Sequence, residues 1–228
     1  QFPIESRLHF LLELAQRTQP FIYSGMEEDL PTYLIESVRP LLDDQYLHRT
    51  HVQVQGLHSK GLKGLRIIME LMQECSRSAK RKGNCFKELV EDILPPEKPL
   101  IEAQNELLKM HVYRRMIMQK CLGERIDRYS TRIAINYWFG NLFTASSDPM
   151  IYMQRLLMLN GVCRTLWIHH SSVRNAVTEF EKDGDLEKLE STVDQLAVKF
   201  TYNTFRAVEH SSRFNKIQEA IEDDDGQL

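Results

Sequence analysis

The sequence predicts an all-α protein, an irregular multi-helix bundle or helical-hairpin stack of about eight helices. Three observations carry that expectation. The 228 residues include only 10 Gly and 8 Pro, too few turn-formers for a sandwich or barrel. Apolar residues recur at spacings of three and four along most of the chain, the period of an amphipathic helix. The C-terminal part is a long heptad-patterned segment, which only a helix can present as one face.

The first helix is expected from Pro3 to Arg17, with Ile4, Leu8, Leu11, Leu12 and Ala15 on one face and a proline at its start. Thr18 to Glu28 reads as a loop around Pro20 and Gly25. A second helix starts near Pro31 and ends at Pro40, where the ring removes a donor and clashes with the preceding turn. Asp43 to His58 reads as an extended connector or a helix start. A helix from Leu57 to Ala79 buries Leu62, Leu65, Met69 and Met72, and Gly61 and Gly64 would admit a close neighbour. Asn84 can cap a short helix carrying Phe86, Leu89, Val90 and Ile93, which Pro95 and Pro96 stop.

Two helices are then expected, Pro99 to Leu122 capped by Gly123, and Glu124 to Phe143. The second carries Tyr137, Trp138, Phe139 and Phe143 beside Gly140, a pattern that predicts a central helix. Ser146-Ser-Asp-Pro149 is a start signal. Asn160-Gly161 is expected to separate two helices, the second running on to Asp183-Gly184. Asp185 can cap the last element, whose seam Leu186, Leu189, Val193, Leu196, Phe200, Asn203, Ala207, His210, Phe214, Ile217 and Ile221 alternates spacings of three and four. The whole suits one helical domain over 1–228, with a sub-division into N-terminal helices 1–95 and a long-helix bundle 96–228 also compatible.

Composition narrows the function. A net charge of −3 gives no field for nucleic acid. No apolar run reaches the ~20 residues of a membrane span, and no signal peptide stands out. Cys75, Cys85, Cys121 and Cys163 form no CxxC pair and read as reduced thiols, so an intracellular, cytoplasmic protein is expected. No phosphate-binding loop, nucleophile elbow, kinase signature set or zinc motif is present. No cofactor or metal is expected.

The expected function is a non-enzymatic interaction module, a scaffold, adaptor or regulatory subunit that docks other proteins through helical surfaces. Its favoured contacts are Leu189, Val193, Leu196, Phe200, Asn203, His210 and Phe214 on the seam, where polar breaks can fix register. Arg125, Arg128 and Arg132 share a helix face and suit an anion or acidic partner because the guanidinium fork binds carboxylates bidentately. The alternative is a helical enzyme or sensor with a buried ligand or metal near His48/His51 or His169/His170.

Arg128-Tyr-Ser-Thr-Arg-Ile-Ala-Ile135 and Asn203-Thr-Phe-Arg-Ala207 resemble pieces of the mitochondrial dehydrogenase kinases. In that family a helical regulatory domain precedes an ATP-binding α/β domain. The resemblance covers these two segments. The glycine boxes and strands of such an ATP site are missing from this sequence, so no kinase activity is carried over.

Overall fold

The structure, a computed structural model, describes residues 3–23, 30–56, 61–78, 85–140 and 148–208. Among them are nine α-helices, one 3₁₀ turn and no strand. The chain divides into two compact units, Gln1–Gly61 with Thr131–Leu157, and Leu62–Ser130 with Met158–Leu228. Each unit therefore draws on two stretches of chain.

The first unit opens with α1 (Ile4–Tyr23), which buries Ile4, Leu8 and Ala15. This helix passes through Pro20 instead of stopping near Arg17. Pro20 lies on its exposed face, where the ring and the lost donor cost least. α2 (Leu30–Val38) ends in a 3₁₀ turn, Arg39–Leu42, that accommodates Pro40. Asp43 to His58 resolves as a helix start: α3 spans Asp44–Gly56, and Asp43 Oδ1 accepts the Tyr46 N–H at 2.8 Å. One arginine ties these helices together. Arg17 donates to the Ser37 carbonyl (3.1 Å) and to the Tyr46 hydroxyl (2.9 Å), which itself donates to Glu13 (2.6 Å).

The same unit holds the end of α6 (Leu100–Gly140) and the start of α7 (Pro149–His169). Tyr137 and Tyr152 pack with ring centroids 4.9 Å apart, and the Tyr152 hydroxyl donates to the Tyr137 carbonyl. Phe139 is 73% exposed, so the aromatic cluster of the sequence does not make this stretch a central helix. Phe143 lies outside the described residues.

The second unit comprises α4 (Gly61–Ser78), α5 (Cys85–Ile93), the first part of α6, the rest of α7, α8 (Ser171–Asp183) and α9 (Leu186–Val208). Its central helix is α7. From Met158 to His170 nearly every residue is buried, as expected of a helix that is apolar all round. Asn160-Gly161 does not break it. Gly161 instead meets α4 closely: a Cβ there would stand 2.7 Å from Ile68 Cδ1. The close approach foreseen at Gly64 is absent, for nothing lies within 4 Å of its Cβ position.

Gly123 is likewise interior to the 41-residue α6 rather than its cap. A lone glycine costs a helix about 1 kcal/mol, which burial of Met118, Leu122 and Ile126 on either side outweighs. The true glycine cap is Gly184, at φ 72°, whose N–H bonds the Phe180 carbonyl at 2.8 Å. Asp185 Oδ1 then accepts the Lys188 N–H and starts α9.

The stripe that α9 buries is Leu189, Val193, Ala197, Phe200, Thr204 and Val208. Its spacing is not the heptad's. Burial passes from Leu196 to Ala197 and from Asn203 to Thr204, because a straight helix of 3.6 residues per turn drifts against a 3.5-residue repeat.

Candidate functional site

A cavity of about 380 Å³ lies within the second unit. Its apolar wall is Ile93, Pro95, Ala103, Leu107 and Met110. Its polar wall is Asp92, Glu106, Lys109, Arg114, His169 and Arg174. Four local events place these side chains: α5 stops at Pro95, α6 starts beside it, α7 ends at His169, and α8 begins at Ser171.

The junction between α7 and α8 is made without proline or glycine. His170 takes an extended conformation (φ −63°, ψ 134°) and its Nδ1 accepts the Ser172 N–H at 3.2 Å. Asp92, on α5, completes the cap: its Oδ2 accepts the Ser171 N–H at 2.7 Å, and the Ser171 hydroxyl also bonds it. A carboxylate at a helix N-terminus satisfies otherwise orphaned donors and complements the helix dipole. The His170 ring packs on Phe200 at 5.0 Å. Burial lowers its pKa, and Asp92, 3.8 Å away, partly opposes that.

His169, 1% exposed, is the centre of the polar wall. Arg114 Nη1 lies 3.0 Å from its Nδ1, and His111 Nδ1 lies 2.9 Å from its Nε2. Guanidinium can only donate. His169 Nδ1 therefore accepts, its own proton sits on Nε2, and it donates to His111 Nδ1. His111 in turn carries its proton on Nε2. The chain of bonds runs Arg114 to His169 to His111, and both rings are neutral. Burial is the first cause: it holds His169 down at about 3, with His111, Arg114 and Arg174 adding to the effect. His111 is held at about 4 by burial, then by Arg115 and Arg164.

The charges on the wall do not cancel locally. Asp92 is engaged by the α8 cap. Glu106 is bound by Lys98 at 2.8 and 3.0 Å. Arg114 spends a donor on a neutral ring, and burial and then Arg174 lower its pKa. Arg174 Nε is buried without a hydrogen-bond partner. Neither arginine is paired with a carboxylate among the described residues. Three cations, Lys109, Arg114 and Arg174, thus line a small, partly apolar cavity, an arrangement that attracts an anion. His169 has both nitrogens committed, which makes it a positioning group rather than a free base.

The sequence candidates fare differently. His169 reaches the site, and His170 builds the junction behind it. His48 is exposed and His51 bonds Ser6 at 2.8 Å, with 6.4 Å between the two rings. No group of three metal-ligating side chains occurs among the described residues. On the seam, Leu189, Val193 and Phe200 are buried inside the second unit, Leu196 and Asn203 are half-buried, and His210 and Phe214 lie outside the described residues. Arg125 is occupied: it pairs with Glu190 and with Asp194 (2.8 Å), which Tyr129 also bonds. Arg128 and Arg132 are exposed. Sequence reasoning missed Asp92, His111 and Arg174 and gave Arg114 no role in a cavity. The one available signal was His111 and Arg114 three apart on one helix face.

No family model, no curated protein and no solved structure matches the chain. No helix of the described residues is long and apolar enough to cross a membrane.

Proposed function

We propose that this chain is a helical regulatory module that binds a small anion in the cavity of its second unit. The observation that carries the reading is the pair Arg114 and Arg174, which line the cavity with no carboxylate partner among the described residues, Arg174 Nε being buried and unbonded. The ligand is an oxyanion with a compact apolar body. Its charge answers the arginines, and its body packs on Ile93, Leu107 and Met110. The role is binding rather than turnover, since the histidines at the site are already committed to each other and to Arg114.

Thermal melts of the whole chain with a panel of short organic acids, sulfate and phosphate test this reading. One or more anions should raise Tm by a few degrees in the wild type, as ligand linkage requires, and Arg174→Gln should abolish the rise. No shift from any anion, or an equal shift in the variant, would sink it.

A second reading, docking of partner proteins, draws support from α6. Val112, Tyr113 and Met116 are large apolar side chains on its exposed face, where unpartnered apolar area marks a contact surface. An anion-bound module that presents such a face would act as a regulatory subunit. Four cysteines without a disulfide support a reducing compartment such as the cytoplasm.

A further inference from the structure

We propose that the cavity takes up its anion together with a proton, held on the His111–His169 pair. This inference rests on the anion-binding reading above and concerns how that site is regulated. His169 Nδ1 has one lone pair, and Arg114 Nη1 occupies it at 3.0 Å. A carboxylate or sulfonate entering between Arg114 and Arg174 is a far better acceptor than a neutral imidazole. As Arg114 turns its donors to the ligand, the lone pair of the buried His169 loses its partner.

A buried acceptor left unbonded is costly. A proton repairs it: the added N–H donates to the anion as a third arm beside the two arginines. The proton enters from the cavity side, at the lone pair that Arg114 leaves. His169 Nε2 keeps its own proton and goes on donating to His111 Nδ1, 2.9 Å away, so the half-buried, neutral His111 steadies the imidazolium that forms. One N–H bond forms, at His169 Nδ1, and one O–H bond of a solvent hydronium breaks.

The surrounding charges set the direction of the coupling. From α6, His111, Arg114 and Arg115 face the pair, with Lys109 and Glu106 on the cavity wall. Asp92 approaches from α5, Arg164 from α7 and Arg174 from α8. Lys199 of α9 acts on neighbouring His170. In the empty site burial first, and then His111, Arg114 and Arg174, keep the added proton off His169. A bound anion offsets Arg114 and Arg174 and adds a negative charge beside the ring, which favours the proton. By reciprocity, a proton then strengthens anion binding by the same factor that the anion strengthens protonation.

The test uses ethanesulfonate, which stays ionised throughout, titrated calorimetrically into the whole chain at constant ionic strength. Affinity should rise at least about fivefold from pH 7.5 to pH 5.5, within the tenfold-per-unit ceiling of a single coupled proton. Heats measured at one pH in two buffers of different ionisation enthalpy should show net proton uptake. His169→Gln and His111→Gln should each flatten the pH slope at whatever affinity remains. Binding that is independent of pH, with equal heats in both buffers, would overturn the coupling and leave the anion site standing. A slope that persists in both variants would place the proton elsewhere and also overturn it. Absence of binding at every pH would overturn the anion site itself.

Discussion

Buried imidazoles give the folded chain part of its sensitivity to acid. His169 is held at about 3 and His111 at about 4, below the ~6.5 of a free imidazole. The unfolded chain therefore binds protons that the folded chain refuses. The stability that keeping these two rings neutral contributes is complete above about pH 6.5 and drains as pH falls toward 4. Melting followed by circular dichroism from pH 7.5 to 4.5 should show this decline. His169→Gln, whose amide can accept from Arg114 and donate to His111, should make it shallower; an unchanged slope would mean that the titration lies elsewhere. Asp92 acts at the same scale. Asp92→Ala removes both acceptors from the start of α8 and should cost about 1–2 kcal/mol in denaturant unfolding. The sequence singled out His169 and His170 but not their partners. His111 and His169 stand 58 residues apart, and nothing local at either position announces the other.

At the scale of elements, local chemistry was legible wherever it was decisive. Asp148 accepts the Met150 N–H at 2.8 Å just before Pro149, and Gly184 with Asp185 turns α8 into α9, all as their residue types predict. Gly123 and Asn160-Gly161 misled because a glycine inside a helix is a small cost that packing overrides. The two glycines should respond oppositely to alanine. At Gly123 the new methyl meets only the movable end of Gln119, so Gly123→Ala should raise stability by about 0.5–1 kcal/mol. At Gly161 the methyl drives into Ile68, so Gly161→Ala should lower Tm. Equal signs for the pair would contradict the packing of α6 at Gly123 and of α7 at Gly161.

For the molecule as a whole, composition and periodicity sufficed to predict an all-α chain, since few turn-formers and a 3.6-residue apolar period leave no other architecture. They could not show which stripes face inward, because a/d spacing serves a chain's own core and a partner's groove alike. The structure places Leu189, Val193, Phe200 and Val208 of α9 in the core of the second unit. Removing residues 186–228 should accordingly leave that unit without a complete core. Loss of cooperative melting and strong binding of a hydrophobic dye are expected, instead of a clean change in oligomeric state. A truncated chain that melts cooperatively would show that α9 is an appendage.

The four thiols differ enough in surroundings to be told apart by a reagent. Cys75 and Cys163 are buried, and burial pushes the Cys163 thiol up to about 12; Cys121 is half-buried and also raised. Cys85, at the head of α5, is exposed. A maleimide dye at neutral pH should therefore mark this position first and nearly alone, on the short helix whose far end carries Asp92. The natural sequence thus supplies a site for a fluorescent reporter that an added anion can be watched from, with no cysteine to introduce or remove.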